Sequence, residues 1–121
     1  MIHEAYLSTW NTYQAAWSDI SGSERQKLLT SSVAENCVYT DPTSECHGHK
    51  ELIAKIERSQ QLRPGVSFKN DKFLDHHGQG LSHWTMYDAS GRVMLTGTSY
   101  ARFGEDGRLT HMTGFFELAE G

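Results

Sequence analysis

The sequence has little of what marks a membrane, exported or nucleic-acid-binding protein. Its 121 residues contain no apolar run near the roughly 20 residues that a membrane-spanning helix needs. The first ten residues have no basic region and no apolar stretch, so we expect no signal peptide and a cytoplasmic location. The 11 basic residues are outnumbered by 15 acidic ones and form no run. This charge distribution predicts no binding to nucleic acid and none to an anionic membrane surface.

Cysteine is also scarce. Cys37 and Cys46 are expected to be free thiols, because disulfides belong mainly to exported chains. Their spacing is not that of a metal site unless His47 or His49 joins them, so we predict no metal. No nucleophile elbow and no glycine-rich phosphate loop is visible, and no cofactor is therefore implied.

Proline occurs only at Pro42 and Pro64, and both lie in turn sequences that do not divide the chain. Residues 1–121 are therefore predicted to form one domain, since this length fits a single core. Three tryptophans, five tyrosines and five phenylalanines offset the modest apolar fraction of 37%.

In the first half of the chain, apolar residues recur at spacings of three and four, which predicts helices. The predicted helices cover residues 3–18, 24–34 and 48–62. Ser23 is expected to cap the second helix, and Leu62 to extend the buried face of the third.

Elsewhere the apolar pattern has period two, which predicts strands. The predicted strands cover residues 36–40, 66–75, 81–87, 92–103 and 108–118. Residues 41–44 read as a turn and residues 76–80 as a loop. Helices followed by hairpin-connected strands predict an α+β fold with a mostly antiparallel sheet and helices on one side. Gly97 and Gly114, inside strands, predict that this sheet is bent.

Short motifs follow one another in a familiar order along nearly the whole chain. They are an aromatic first helix with Tyr13 and Trp17, then Val38-Tyr39-Thr40-Asp41-Pro42, His47-Gly48 before Glu51-Leu52-Ile53, Arg102-Phe103, Asp106-Gly107-Arg108-Leu109 and Gly114-Phe115-Phe116-Glu117. In this order and spacing the chain resembles the SnoaL-like branch of the nuclear-transport-factor-2-like superfamily, which includes ketosteroid isomerases and polyketide cyclases. The resemblance implies a cone-shaped, curved, mixed sheet that encloses a pocket behind the three helices. A fold of this kind does not by itself fix a function.

The resemblance implies three candidate catalytic residues. Asp41 occupies the position of the general base in ketosteroid isomerases, where burial would raise its pKa; alternatively it only accepts turn hydrogen bonds. Tyr13 lies on the helix that carries an oxyanion-hole tyrosine in those enzymes, or else is a core aromatic. Ser99 falls where they carry a protonated aspartic acid. Because serine is a weaker acid, this departure argues against steroid isomerisation.

Successive side chains of a strand point to opposite faces of the sheet, and this alternation assigns further residues to one face or the other. Those that share the face of Ser99 would, with Trp17, line a pocket for a small hydrophobic ligand, or would simply form the core: Trp84, Met86, Leu95, Gly97, Met112 and Phe116. The opposite, outer face carries an unusually apolar set that predicts a homodimer: Thr85, Tyr87, Thr96, Thr98, Tyr100, Thr113 and Phe115. His76 and His77 either reach the pocket rim or are solvated.

Three functions fit these residues. One is a cofactor-free enzyme of the isomerase or cyclase type, in which Asp41 transfers a proton. Another is a non-catalytic protein that binds a small hydrophobic molecule. The third is a dimeric protein-interaction module.

Overall fold

A computed structural model describes residues 3–117 and arranges them as three helices and one six-stranded sheet. The elements are α1 (Glu4–Ala15), α2 (Gly22–Ser32), β1 (Val33–Asp41), β2 (Ser44–His47), α3 (Gly48–Leu62), β3 (Ser67–His76), β4 (Gln79–Tyr87), β5 (Val93–Phe103) and β6 (Leu109–Phe115). This arrangement confirms the predicted α+β class with helices first and hairpins after. Within residues 3–117 no helix is both long enough and apolar enough to cross a membrane.

The sheet is mixed and open, with strand order β2-β1-β6-β5-β4-β3. Every neighbouring pair is antiparallel except β1 and β6, which run parallel and are connected through α3 and the four other strands. Register shifts interrupt several ladders, and such bulges increase the bend of a sheet. One bulge pairs Val93 with Tyr87, so Val93 is 62% exposed instead of sharing the face of Leu95.

The strand β2 was not predicted, since residues 41–44 read only as a turn. Asp41 pairs with Ser44 across a two-residue turn, and Tyr39 pairs with Cys46. The strand β1 is also longer than predicted, because its first residue, Val33, pairs with Leu109 of β6. The residues of β2 and the first residues of β1 form strands because they pair with neighbouring strands. Their local pattern is too short to indicate a strand.

Four details of the helices differ from the prediction. The helix α1 ends at Ala15, three residues early, and α2 begins at Gly22. Ser21, not Ser23, caps α2, since its Oγ accepts a hydrogen bond from the backbone N–H of Glu24. Leu62 is 65% exposed. Successive residues of an α-helix are about 100° apart around the helix axis, so Leu62 is rotated by about 240° from Ile56. Its side chain therefore points away from the buried face of α3.

A tight turn replaces the predicted loop at 76–80. His77 and Gly78 have φ values of 50° and 70°, the positive values that a two-residue hairpin turn needs. His76 and Gln79 on either side are already paired as strand residues. This turn places His76 and His77 at the tip of the β3–β4 hairpin.

The core lies between the helices and one face of the sheet. Its largest fully buried side chains are those of Trp10, Leu29, Leu52, Ile56, Leu109 and Met112. Cys37 and Cys46 are buried free thiols in the same cluster.

A buried arginine ties the helices together at one end of this core. Arg25 of α2 is 4% exposed, and its Nε donates to the carbonyl of Ala16 at 2.9 Å. One terminal nitrogen, Nη2, donates to the carbonyls of Ser18 and Ile20, and the other, Nη1, lies 3.5 Å from the Glu57 carboxylate of α3. The guanidinium thus satisfies carbonyls that follow the end of α1, where a helix leaves such groups unpaired.

Candidate ligand-binding pocket

A cavity opens between α1, α3 and the sheet, at the end where β1 finishes at Asp41. Its volume is about 1240 Å³. That figure includes space outside the rim, because the lining takes in His83 and Thr98, which pair on the outer face of the sheet. The volume enclosed next to the helices is therefore smaller than about 1240 Å³.

Nine of the ten candidate residues from the sequence line this cavity. They are Tyr13, Asp41, Ser99, Trp17, Trp84, Met86, Leu95, Gly97 and Phe116. Met112 is not in the lining: it is 2% exposed and belongs to the core, between Tyr39 and Ala101. Alternation along a strand predicts which face of the sheet a residue is on, but not how far it lies from the mouth of the cavity. Met112 is two residues before Gly114 on the same face, and its side chain packs in the core instead of lining the cavity.

The carboxylate of Asp41 is held by a dense set of hydrogen bonds. The Tyr39 hydroxyl donates to Oδ2 at 2.6 Å. The backbone N–H and the hydroxyl of Thr43 donate to Oδ1 at 2.7 and 2.8 Å, and the Ser44 hydroxyl donates to the same oxygen at 3.2 Å. Lys55 Nζ lies 3.5 Å from Oδ2. Because the side chain of Asp41 is only 3% exposed, these five contacts replace its hydration.

These contacts change the expected acidity of Asp41. Burial by itself would raise the pKa of the carboxyl, as the sequence led us to expect. The hydrogen bonds from Tyr39 and Thr43, together with the charge of Lys55, outweigh burial, and the pKa lies below its ordinary value of 3.8. Asp41 is therefore ionised at neutral pH, and its oxygens are already occupied.

Two tyrosines stand beside this carboxylate. Burial raises the pKa of Tyr13 well above its ordinary value, an effect that the nearby Trp17 side chain partly opposes. Burial also raises the pKa of Tyr39, and the charges of Tyr13 and Asp41 add to it. Both hydroxyls therefore keep their protons at neutral pH; that of Tyr39 donates to Asp41, and that of Tyr13 is able to donate.

Ser99 lies on the same face of the sheet as Asp41, two strands away and next to a glycine. Its Oγ accepts a hydrogen bond from the Trp84 indole N–H at 2.9 Å. A Cβ on Gly114 would lie 3.7 Å from Ser99 Oγ and 3.8 Å from the Cβ of Asp41. The bare backbone of Gly114 therefore separates the serine from the aspartate and leaves the space between them open.

A continuous belt of aromatic rings lines the apolar part of the cavity. Ring centroids are 6.0 Å apart for Phe116 and Trp84, 5.6 Å for Trp84 and Phe68, 6.0 Å for Phe68 and Trp17, and 5.4 Å for Trp17 and Tyr39. Tilted and edge-on contacts at these distances are favourable for aromatic pairs. The belt ends at the Tyr39 hydroxyl, which binds Asp41.

The lining residues that were not among the sequence candidates include Tyr39, Phe68 and Lys55. For two of them a signal was present. Tyr39 stands two residues before Asp41 on one strand and so shares its face, and Phe68 alternates with polar neighbours. For Lys55 the signal was weaker, since it adjoins Ile56 on the edge of the buried face of α3.

The histidines do not contribute to the interior of the pocket. His76 and His77 contact each other at the hairpin tip and are absent from the lining. His83 bonds Thr98 on the outer face. Among the residues that the structure describes, no group of three or more His, Cys, Asp or Glu could hold a metal ion.

Comparison with known proteins places the chain in a family. The sequence profile of the SnoaL-like domain matches residues 4–112. Among curated proteins, no match reaches significance. Because the profile spans most of its length, this chain belongs to the SnoaL-like domain family, as its motifs predicted.

Solved structures share the fold. A proposed isomerase of the SnoaL-like family from Agrobacterium tumefaciens is 26% identical, with a TM-score of 0.88 over 96% of this chain and 100% of that one. A proposed polyketide cyclase from Sinorhizobium meliloti is 14% identical, with a TM-score of 0.72 over 88% and 93%. TerC, co-crystallised with polyporic acid, is 13% identical, with a TM-score of 0.76 over 93% and 92%. The last two likenesses concern the fold alone.

Proposed function

We propose that this protein binds a small, mostly apolar organic ligand that carries an acceptor oxygen. The observation that carries the proposal is the aromatic belt with hydroxyl donors on two walls of one cavity. Sites for small molecules commonly combine an apolar lining with a few placed polar groups. A ketone, quinone or enol has the matching shape and chemistry.

The two hydroxyls supply the polar part of this recognition. Ser99 Oγ accepts the indole N–H of Trp84, which leaves its own proton free to donate. The Tyr13 hydroxyl, held protonated by burial, is a second donor on the facing helix. Together they suit an oxygen that enters between α1 and β5.

A second candidate function is proton transfer by Asp41, as in an isomerase or cyclase. Two observations favour it: Asp41 and Ser99 flank the same glycine, and the Agrobacterium tumefaciens relative is a proposed isomerase. The lowered pKa of Asp41 weighs against it, because a base works best when its pKa lies near the working pH. Binding without chemistry is therefore the function that we favour.

One pair of probes tests both candidates. 2-Acetylnaphthalene and 2-isopropylnaphthalene have nearly the same shape, but only the first has a carbonyl oxygen. Calorimetry should show tighter binding of the ketone by about fivefold or more, since one hydrogen bond contributes about 1 kcal/mol. Ser99→Ala and Tyr13→Phe should each reduce that preference, and Lys27→Met, on the exposed side of α2, should not. Equal binding of both probes, or binding of neither, would overturn the proposal.

The same ketone reports on proton transfer. Its methyl protons exchange with deuterium oxide when a base removes them, and proton NMR follows the exchange. If the protein only binds, exchange stays at the uncatalysed rate. Acceleration that disappears in Asp41→Asn would instead establish the second candidate.

We further propose that a second copy of the chain covers the outer face of the sheet. Phe115 is 61% exposed on this face, where it pairs with Thr98 and lies diagonal to Tyr100. Apolar patches of this kind commonly mark interfaces. Light scattering should give a dimer that Phe115→Glu dissociates, whereas Leu62→Glu, at the equally exposed end of α3, should not. A monomeric wild type would contradict this proposal.

The cytoplasmic location of the protein stays a prediction.

A further inference from the structure

A lysine stands at the polar end of the cavity, where the aromatic belt meets Asp41. Lys55 projects from α3, and its Nζ donates to Thr43 Oγ1 at 2.8 Å. The Thr43 hydroxyl in turn donates to Asp41 Oδ1 at 2.8 Å. This short relay fixes the ammonium group in one place beside the cavity, which Lys55 lines.

The carboxylate of Asp41 does not depend on Lys55 for its hydrogen bonds. Its two oxygens accept four of them, from Tyr39, Thr43 and Ser44, before the lysine is counted. Lys55 Nζ is 3.5 Å away, longer than a good charge-assisted hydrogen bond. An ammonium group has three N–H donors, and Thr43 and Asp41 engage at most two. One donor is left for another partner.

Exposure decides which charge an entering molecule meets. The side chain of Asp41 is 3% exposed and that of Lys55 is 23% exposed. The carboxylate is thus enclosed by its donors, and the ammonium is the accessible charge of the pair. The other charged residues of the lining, Arg63, Asp71 and Glu117, are all solvent-exposed, so water screens them.

From this arrangement we infer that Lys55 contacts the ligand and selects one with an anionic oxygen. The ligand class is a flat apolar body that ends in a carboxylate or an ionised enol. Its anionic oxygen binds Lys55 at the end of the cavity near Asp41, and its body lies along Trp17, Phe68 and Trp84. The inference rests on the proposed function, because it names the ligand class for the same pocket.

The test adds an acid to the ketone used above. 2-Naphthoate and 2-acetylnaphthalene differ mainly in charge, and calorimetry measures the dissociation constant of each. Hydrogen bonds to a charged group contribute about 1.5–3 kcal/mol, so wild type should bind the acid at least about fivefold more tightly than the ketone. Lys55→Met should weaken the acid about tenfold and leave the ketone within about twofold.

Two further variants sharpen the result. Lys55→Arg keeps the charge and should keep most of the preference for the acid. Lys50→Met removes an exposed lysine from the same helix and should change neither affinity. Circular dichroism checks that each variant is folded; if Lys55→Met does not fold, Lys55→Gln replaces it as the neutral variant.

The outcomes separate this inference from the proposed function. If the ketone binds but the acid binds no better, or if Lys55→Met weakens both equally, the inference is wrong and the proposed function stands. If neither probe binds, both are wrong. Selective loss of the acid in Lys55→Met, with retention in Lys55→Arg, supports the inference.

Discussion

Replacing Gly97 by alanine should disturb the pocket wall more than the loss of one hydrogen atom suggests. Gly97 pairs with Trp84 across β4 and β5, and the indole lies directly over it. A Cβ at this position would come within 2.3 Å of Cζ2, 2.5 Å of Cη2 and 2.8 Å of Cε2 of that ring. Atoms cannot approach so closely, so the indole must move.

The cost can be worked from what the indole would lose. Forcing a side chain out of a packed site costs about 1–3 kcal/mol. Displacing the ring also breaks the 2.9 Å hydrogen bond from Trp84 Nε1 to Ser99, which contributes about 1 kcal/mol. Alanine restricts the unfolded chain and returns about 0.4–1 kcal/mol. Adding the two costs and subtracting the return, we expect the free energy of unfolding to fall by about 1–4 kcal/mol.

Urea denaturation followed by tryptophan fluorescence measures this change. Gly22→Ala is the matched control, because a Cβ there would meet only Glu57 Oε2 at an ordinary 3.5 Å. Repeating Gly97→Ala in a Trp84→Phe background tests the mechanism, since phenylalanine lacks the ring that collides. The penalty should shrink by at least half in that background. A loss below about 0.5 kcal/mol, or the same loss in both backgrounds, would refute the reasoning.

Three further predictions follow from the packing and the charges. Arg25→Met should lower the free energy of unfolding by about 2–4 kcal/mol, because it leaves buried carbonyls without donors; Lys27→Met, exposed on the same helix, is the control in urea titrations, and equal effects would contradict the role of Arg25. The folded-state pKa of Asp41 lies below its ordinary value of 3.8, so the unfolded chain takes up the proton first. The stabilisation by this carboxylate is therefore complete above that value and is lost as the pH falls through the folded-state pKa. Asp41→Asn should lose less stability than wild type between pH 6 and pH 3, and parallel curves would count against the hydrogen-bond set. Leu52→Ala, at a fully buried position, should cost about 2–5 kcal/mol, whereas Leu62→Ala, 65% exposed, should stay within about 0.5 kcal/mol; a large loss for Leu62→Ala would mean that α3 buries its last turn.

Much of the architecture could be predicted because it depends on local patterns. The helix predicted at 48–62 is α3, and alternation around Trp84 and Met86 gave the buried face of β4 correctly. The hairpin turns follow from glycine near residues 91 and 107. These features are set by neighbours a few positions apart, which periodicity reports directly.

The site could be predicted only in part, for the same physical reason. Alternation along the strand predicted the face of Ser99 and Gly97 correctly, but it does not predict how deeply a residue is buried. Met112 was therefore assigned to the pocket, although it lies in the core. Bulges change parity within a strand, as at Val93. The local pattern of apolar residues predicts neither how deeply a residue is buried nor where a bulge occurs.

The sequence by itself determined the family, the order of the helices and of every strand except β2, and the grouping of Asp41, Tyr13 and Ser99 around one cavity. Tertiary structure alone decided the chemistry of that cavity. The pKa of Asp41 depends on donors from a turn that forms only when β1 pairs with β2, and on Lys55 from α3. The orientation of Ser99 depends on Trp84, fifteen residues earlier on another strand. Acidity and hydrogen bonding are set by what surrounds a group in space, and that environment exists only once the chain has folded.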